Sequence, residues 1–349
     1  MVRSPGTAPS PRQLLSVIVP AYNEEKVLPE FHRRLSDVLS ALDMRTEIIY
    51  VNDGSSDGTL QLIRHLRDAS ANVTLVDLSR NFGKEAAMTA GFDLAAGDAV
   101  VVIDADLQDP PELIPDMVSQ WRAGFDMVYA QRTVRDGESS VKKSTSYLFY
   151  RLIQRVSRVQ IPKDTGDYRL LSRRAVVALN SLREQHRFMK GLFAWIGFPQ
   201  TAIPYRRDPR FAGETKFNYW KLWNFALEGF TSFTIAPLKI ATYLGIFTSM
   251  FAFLYGMYVM YKTLIYGEPV SGYPSMMVVM TFMGGAQLGF IGILGEYIGR
   301  MFNETKQRPL YFLNAYEPAA EIAPGFASSE EELIYPDDTR LDVRPLQHH

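Results

Sequence analysis

Short apolar runs and longer amphipathic stretches alternate along the first third of the chain. The apolar runs, rich in Val and Ile, lie at 15–20, 47–51, 73–79, 99–103 and 127–130. Between them, apolar residues recur at helical spacing over 27–42, 59–70, 84–96 and 111–124. The runs predict buried strands and the spaced segments predict helices. This alternation predicts an α/β fold with a doubly wound, mostly parallel sheet.

Two stretches near the C-terminal end have a different pattern, because they contain almost no charge. Each is long enough to cross a hydrocarbon core of about 30 Å as a helix. We therefore predict transmembrane helices at 238–262 and 275–299, joined by a short external loop at 263–274. Aromatic residues at helical spacing precede the first span, and they favour an amphipathic interfacial helix at 213–237. The alternative for this segment is a packed core helix.

The charge distribution indicates an orientation in the membrane. Basic residues precede the first predicted span and follow the second, so the positive-inside rule places both termini in the cytoplasm. We predict a cytoplasmic catalytic domain at 15–212 and a cytoplasmic return segment at 300–316. The ends, 1–14 and 317–349, are predicted to be disordered, the second as an acidic tail. The first end lacks the apolar stretch of a signal peptide.

Composition excludes little beyond this. The 349 residues carry a formal net charge of −1, and we expect no nucleic-acid partner. The chain contains no cysteine, which excludes disulfides and cysteine-ligated metals.

Polar residues follow four of the predicted strands at the point where each strand ends. They are Asn23, Asp53, Asp104 and Arg132. Ligands of open α/β sheets bind beyond the carboxyl ends of the strands, so these side chains are expected to meet at one edge. The convergence predicts a binding site there.

Asp104 and Asp106 are separated by one residue at the end of a buried strand. Two such carboxylates would repel each other without a cation, and Mg²⁺ or Mn²⁺ prefers oxygen ligands. Gln108 adds a neutral oxygen close by. The alternative is a solvated acidic turn before the helix at 111–124. Convergence with Asp53 and Arg132 favours the metal site.

Six motifs occur in order through nearly the whole catalytic region, one more closes the second span and another follows it. They are IVPAYNEE (18–25), VNDGSSDGT (51–59), RNFGKEAAMTAGFDLAAGD (80–98), DADLQDPPE (104–112), TGDYRLLSRRA (165–175), RFAGETK (210–216), GEYIGR (295–300) and RPLYF (308–312). With them the sequence resembles the inverting family 2 glycosyltransferases of the GT-A fold. Within that family it is similar to the bacterial polyprenyl-phosphate glycosyltransferases of the bactoprenol glucosyl and aminoarabinosyl type, related to dolichol-phosphate mannose synthase.

The resemblance implies a nucleotide pocket built by Pro20, Tyr22 and Glu24, with the Tyr22 ring packed on a base or ribose. Asp53 would accept an N–H of the base, although Asp53-Gly54 is also good turn chemistry. Lys84 would meet phosphate or ribose, and its alternative is a solvated lysine.

The resemblance also assigns roles around the acidic motif. Asp106 and Gln108 would hold the metal against the diphosphate. Asp104 would contact ribose or the metal shell, and Ala105 would line the donor site.

Further residues are implied on the acceptor side. Arg132, Arg210 and Lys216 would bind the acceptor phosphate and the leaving diphosphate. Asp167 is the candidate catalytic carboxylate, acting as a base or orienting a substrate. The alternative for Asp167 is a structural pair with Arg169 or Arg173.

The expected activity is transfer of a sugar from a nucleotide-sugar, such as UDP-glucose, to undecaprenyl phosphate with inversion. The product would serve envelope glycan or lipid modification at the inner membrane. One alternative is a GDP-mannose-dependent mannose synthase, and another is a non-catalytic nucleotide-sugar-binding subunit of a lipid-sugar flipping complex. A processive polysaccharide synthase is disfavoured, because only two spans are predicted and a Gln-X-X-Arg-Trp motif is missing.

Small-residue pairs in the second span, Gly285/Gly289 and Gly295/Gly299, permit close helix packing. We therefore expect a homo-oligomer, with a flippase as a possible further partner.

Overall fold

The computed structural model describes residues 13–133, 165–185, 187–205, 236–266 and 272–320. The strands in these ranges are β1 Leu14–Ala21, β2 Arg45–Asn52, β3 Val73–Leu78, β4 Ala99–Val102, β5 Met127–Arg132, β6 Thr165–Ser172, β7 Gln200–Tyr205 and β8 Leu313–Glu317. The helices are α1 Leu28–Ser40, α2 Thr59–Ala69, α3 Lys84–Leu94, α4 Ile114–Arg122, α5 Arg173–Asn180, α6 Met189–Trp195, α7 Ala236–Tyr266 and α8 Tyr273–Thr305. A 3₁₀ turn, Pro111–Leu113, precedes α4.

The described strands form one eight-stranded sheet in the order β7-β5-β6-β4-β1-β2-β3-β8. Strands β1 to β4 pair in parallel, and β5 pairs in parallel with β7. Strand β6 runs antiparallel between β4 and β5, and β8 runs antiparallel along β3. Helices cover both faces, so the predicted doubly wound α/β fold is confirmed, as a mixed sheet with an all-parallel centre.

The central strands are largely apolar because both of their faces are covered. One face packs against α1, which buries Leu28, Phe31, Leu35 and Leu39 at helical spacing. The other face packs against α3 so closely that a Cβ at Gly91 would lie 2.4 Å from Ile18 Cγ2. This close packing holds the start of α3 beside the carboxyl ends of the strands.

The five predicted strands and four predicted helices of the first part are all present, with bounds that differ by a few residues. Strands β6, β7 and β8 were not predicted. The sequence of β6, TGDYRLLS, carries Gly, Asp and Arg, which do not indicate a strand. It forms one because β4 and β5 pair with it on both sides and Arg169 is buried.

Helices α7 and α8 contain two segments, Ala241–Tyr266 and Val278–Thr305, that are long and apolar enough to cross a membrane. The predicted spans lie within α7 and α8. The external loop was predicted at 263–274, and of that range residues 263–266 belong to α7 and residues 273–274 to α8.

Strand β8 begins in the predicted cytoplasmic return segment, 300–316, and ends one residue beyond it, at Glu317. Ala319 is buried against the sheet. Folded chain thus continues past 316, where the disordered tail was predicted to begin, because the edge of β3 offers hydrogen-bond partners to it. The predicted interfacial helix at 213–237 falls almost wholly outside the described residues.

Candidate active site

Three predicted site residues meet at the carboxyl edge of the sheet. Lys84 Nζ lies 2.6 Å from Asp104 Oδ1 and 2.6 Å from Asp167 Oδ2. Lys84, whose side chain is 41% exposed, therefore bridges two carboxylates and does not stand alone in solvent. A cation between two anions in one cleft is an arrangement suited to binding charged substrates.

The sheet register brings these groups together. Val102 of β4 is paired with Arg169 of β6, so two residues further on Asp104 lies opposite Asp167. Lys84 is the first residue of α3 and follows Gly83, whose φ of 95° favours glycine. The tight packing of α3 on β1 then directs the Lys84 side chain between the carboxylates.

Burial and neighbouring charges act in opposite directions on the pKa of Asp167 and on that of Lys84. Burial opposes ionisation of Asp167, but Lys84 and Lys190 outweigh it and lower the pKa of Asp167 to about 2. Burial lowers the pKa of Lys84, but the neighbouring Asp104 and Asp167 raise it above its usual value. Asp167 and Lys84 therefore both stay charged at neutral pH. The second oxygen of Asp167, Oδ1, is buried without a hydrogen-bond partner among the described residues.

Glu85 and Lys190 lie beside this cluster and were not predicted as site residues. Burial, followed by the charge of Asp167, raises the pKa of Glu85 to about 8. Burial lowers the pKa of Lys190, although Asp167 opposes the change. Glu85 follows Lys84 directly in the quoted motif, which is a signal that could have found it; Lys190 has no comparable signal.

Arg169 holds the backbone that carries Asp167. Its guanidinium donates to the carbonyl oxygens of Gly166 at 2.8 Å and Asp167 at 3.4 Å, and lies 3.8 Å from the centre of the Phe193 ring. Its hydrogen bonds therefore go to the backbone and not to the Asp167 carboxylate. Arg173 donates to backbone carbonyls at Ala95 and Gly97. The structural pairing considered for Asp167 is thus replaced by the ion pair with Lys84.

Asp53 is buried at the end of β2 and binds the loop before α3. Its two carboxylate oxygens accept hydrogen bonds from Phe82 N at 2.7 Å and Gly83 N at 3.0 Å. Burial raises the pKa of Asp53, while these amides and Arg80 lower it. Gly54 follows with a φ of 63°, and a Cβ there would lie 2.5 Å from Arg80 C. Asp53 therefore anchors the loop before α3, and its contact with a nucleotide base stays a prediction.

Pro20, Tyr22 and Glu24 lie at or just after the end of β1. Tyr22 is 48% exposed, which leaves its ring accessible. Glu24 N donates to Thr59 Oγ1 at 2.8 Å, and the Glu24 carbonyl accepts from the start of α1. These contacts fix the loop next to Asp53.

The acidic motif forms a tight turn after β4. Ala105 is buried, Leu107 has a φ of 58°, and Gln108 N donates to Asp106 Oδ1 at 3.1 Å. Among the residues that the structure describes, no group of three His, Cys, Asp or Glu side chains has the geometry of a metal site. The oxygens of Asp104 and Asp106 are the donors that this turn provides.

Arg132 lies next to β6 at the end of β5. Its Nε donates to Tyr205 Oη at 3.2 Å, and Tyr205 donates in turn to Asp109. A Cβ at Gly166 would lie 3.1 Å from Arg132 Nη2, so the glycine makes room for the guanidinium. Tyr205 and Asp109 were not predicted. Arg210 and Lys216 lie outside the described residues.

The chain matches two known protein families and several curated relatives. The family Glycosyl transferase family 2 matches residues 16–179, and the family GtrB C-terminal hairpin matches residues 236–301. An uncharacterised glycosyltransferase of Synechocystis is 50% identical over 86% of this chain and 94% of its own length. The bactoprenol glucosyl transferase of Shigella phage SfV is 45% identical over 86% of this chain and 97% of its own.

A more distant likeness is to a crystal structure of glucosyl-3-phosphoglycerate synthase from Mycobacterium tuberculosis with Mn²⁺, UDP-glucose and phosphoglyceric acid. It has a TM-score of 0.41 and 21% identity, and the match covers 61% of this chain and 76% of that one. The high identity to the curated relatives over nearly their whole length, together with both family matches, shows the relationship. The chain belongs to glycosyl transferase family 2, among the transferases that join the family 2 domain to a GtrB C-terminal hairpin.

Proposed function

We propose that this glycosyltransferase moves a sugar, with glucose as the first candidate, from a UDP-sugar to polyprenyl (undecaprenyl) phosphate with inversion at the anomeric carbon. Relatives 45% identical to it are named bactoprenol glucosyl transferases. The observation that carries the proposal is the meeting of Lys84, Asp104 and Asp167 at the carboxyl edge of the sheet, in a chain that also has the GtrB hairpin.

The donor would bind where the loops after β1, β2 and β4 meet. Tyr22 offers an exposed ring to the base or ribose. Asp53 already accepts two amide hydrogen bonds, yet each carboxylate oxygen has a second lone pair that can accept an N–H of uracil. Pro20, Glu24 and Ala105 would line the same pocket.

Mg²⁺ or Mn²⁺ fits the donor set at the end of β4. Asp104 and Asp106 supply carboxylate oxygens, the ligand type that these ions prefer, and leave positions for diphosphate oxygens and water. The Lys84 ammonium at Asp104 indicates that a cation is stabilised there. When bound, the metal ion would neutralise charge on the leaving diphosphate. Gln108 stays a predicted additional ligand.

Asp167 suits a positioning role better than that of a general base. A phosphate monoester has a second pKa of about 6 and is largely an anionic nucleophile at neutral pH. A carboxylate whose pKa lies near 2 is a weak base for any proton that remains. We infer that Asp167 orients the reacting groups, and that Lys84 and Lys190 keep it ionised.

Arg132 supports the leaving group in this scheme. Its guanidinium lies over Gly166, one residue from Asp167, and is held by Tyr205. Burial opposes its charge, but Tyr205, Asp109 and Asp104 raise its pKa, so the charge persists. A fixed cation at the growing negative charge stabilises the transition state without reorganisation. Arg210 and Lys216 are predicted to assist from the acceptor side.

Membrane insertion of α7 and α8 would bring the lipid acceptor to this site. A polyprenyl tail stays in the bilayer, so the carboxyl edge of the sheet has to lie at the interface. We propose an inner-membrane protein with both termini and the catalytic unit in the cytoplasm. Homo-oligomerisation and a flippase partner stay predictions.

The test uses detergent-purified full-length protein with undecaprenyl phosphate, Mg²⁺ or Mn²⁺, and a panel of UDP- and GDP-sugars. Release of nucleoside diphosphate and formation of a lipid-phosphate-sugar are followed together by mass spectrometry. We expect product with one UDP-sugar, and none with EDTA or with Asp106→Asn. The matched control is Asp116→Asn, an exposed carboxylate on α4.

If product forms only with GDP-mannose, the proposed UDP-sugar donor is wrong and the protein is a mannose synthase. Binding of nucleotide-sugar without lipid product across the whole panel would overturn the enzymatic function and favour a binding subunit.

A further inference from the structure

The stretch that follows the second membrane helix returns to the catalytic unit and contacts it near the donor site. We call residues 311–319 the closing segment. Its strand β8 pairs antiparallel with β3 at the edge of the sheet. Phe312 O accepts a hydrogen bond from Ser79 N at 2.9 Å, and Ala319 N donates to Thr74 Oγ1 at 3.0 Å. The closing segment is thus a structural part of the catalytic unit.

Two side chains of the closing segment are linked to the region around Asp53, the first of them through Asp77. Asn314 Nδ2 donates to Asp77 Oδ2 at 2.7 Å, and Asp77 Oδ1 accepts from Asn52 Nδ2 at 2.7 Å. Asp77 is buried, and these two amides satisfy both of its oxygens. Asn52 directly precedes Asp53 and its Oδ1 accepts from Ser55 N at 3.3 Å, so a chain of hydrogen bonds runs from β8 to the loop after β2.

The second contact is aromatic. The Phe312 ring lies 6.3 Å from the Phe82 ring, at an angle of 51°. Arg80 lies 4.0 Å from the centre of the Phe82 ring. The amide of Phe82 is one of the two that Asp53 binds. Phe312 therefore supports the loop that precedes Lys84.

Little free space separates this loop from Asp53. A Cβ at Gly54 would lie 2.5 Å from both Arg80 C and Asn81 N. Loops packed this closely move together or lose their hydrogen bonds. A displacement of residues 79–84 would therefore reach Asp53 and Lys84 together.

We propose that Phe312 and Asn314 are positioning residues of the donor site, through which the closing segment holds Asp53 and the 79–84 loop in their binding geometry. The inference rests on the proposed role of Asp53 in nucleotide binding. It makes the segment behind the membrane hairpin a determinant of donor affinity, in addition to anything that the hairpin does for the lipid acceptor.

The experiment compares Phe312→Ala, Asn314→Ala and the double variant with wild type, all as full-length protein in detergent. The matched control is Glu317→Gln, on the same strand. Among the described residues the ion-pair partners of Glu317 are Arg64 and Arg67 on α2, which lie outside the 79–84 loop. Exposed ion pairs of this kind contribute little to stability.

Three quantities are measured: hydrogen–deuterium exchange of the 79–84 peptide, the Kd for UDP with Mg²⁺ by calorimetry, and separate KM values for UDP-sugar and undecaprenyl phosphate. We expect faster exchange and a rise of about tenfold in the Kd for UDP and the donor KM of the double variant, the effect of losing one hydrogen bond to a charged group. The acceptor KM is expected to stay unchanged, and so are all values for Glu317→Gln. A merely structural defect would change the melting temperature without separating donor KM from acceptor KM.

Exchange and UDP affinity equal to wild type in the double variant would overturn the inference. If the double variant does not fold, the exchange and UDP-affinity measurements on the two single variants test the inference instead. If wild type binds no UDP, the proposed donor fails instead. Exchange at 79–84 then decides the positioning role alone, because that measurement needs no ligand.

Discussion

The catalytic unit and the helical hairpin use the same apolar residue types in opposite ways. Phe31 on α1 is fully buried between its helix and the sheet, whereas Phe251 on α7 is 64% exposed. Leu288 on α8 is 71% exposed. In water such a surface would be costly, but in a bilayer it meets lipid tails. The difference teaches that exposure of apolar residues has to be judged region by region, because α7 and α8 are long and apolar enough to cross a membrane.

Charge separates the two regions as well. The catalytic unit gathers ion pairs at the carboxyl edge of the sheet, where Lys84 joins Asp104 and Asp167. In the hairpin, the pair Glu296–Arg300 lies towards the C-terminal end of α8. Charges are thus placed where protein partners or water can stabilise them.

The largest expected effect concerns the charged edge. Asp104→Asn removes one partner of Lys84 and one oxygen donor for a metal. We expect kcat to fall about 10²- to 10⁴-fold, the usual range for groups that act on the transition state. Initial rates of lipid-phosphate-sugar formation measure it, with Asp116→Asn as the control. A kcat equal to wild type would exclude Asp104 from the reaction.

The second largest effect is expected when a phenylalanine is truncated to alanine in the catalytic unit, compared with the same truncation in the hairpin. Phe31→Ala leaves a cavity in the core, so we expect a loss of about 3–5 kcal/mol in the free energy of unfolding. Phe251→Ala removes a side chain that contacts lipid or detergent, and we expect a much smaller loss. Thermal unfolding in detergent compares the two variants. Equal losses would mean that Phe251 is buried in the assembled protein.

Replacing an exposed apolar residue by lysine is expected to have a larger energetic cost in the hairpin than in the catalytic unit. Leu288→Lys is expected to cost about 2.5–3.5 kcal/mol for membrane insertion. Val177→Lys, at a position of α5 that is 61% exposed, is expected to stay within about 0.5 kcal/mol of wild type. Resistance of the membrane-bound protein to carbonate extraction measures insertion. Unchanged insertion of Leu288→Lys would contradict a lipid-facing position.

The smallest expected effect is on pH dependence in the catalytic unit. The folded pKa of Asp167 is lowered from 3.8 to about 2. Its ionised form therefore stabilises the folded state above the unfolded pKa, and this contribution is lost as pH falls through 3.8 towards 2. We expect Asp167→Asn to be less stable than wild type by on the order of 2 kcal/mol at pH 7. The difference in melting temperature between Asp167→Asn and wild type should narrow as the pH falls from 7 to 3. A constant difference would contradict the prediction.

Sequence patterns were sufficient for the centre of the fold. Strands β1 to β4 are rich in Val, Ile and Leu, and the helices between them have regular apolar spacing, so local residues indicate both. Strands β6 and β8 could not be predicted, because their pairing with β4, β5 and β3 is long-range. The hairpin was predictable, since its length and lack of charge suffice.

The site was predictable in its residues but only partly in its contacts. The motifs indicated Asp53, Lys84, Asp104 and Asp167, yet no motif indicates that Lys84 bridges two carboxylates or that Asp53 binds the amides of Phe82 and Gly83. Glu85, Arg169 and Lys190 were missed, since a charged residue becomes part of a buried cluster only through packing.

The sequence alone determined the α/β class, the family resemblance, the two apolar helices and the strand ends at which polar residues collect. These features depend on local composition and periodicity. Only the tertiary structure decided the register that places Asp104 opposite Asp167, the ion pairs of Lys84, and the return of β8 to the edge of β3. Those depend on contacts between residues far apart in the chain, whose energies arise from burial and distance that a linear pattern does not contain.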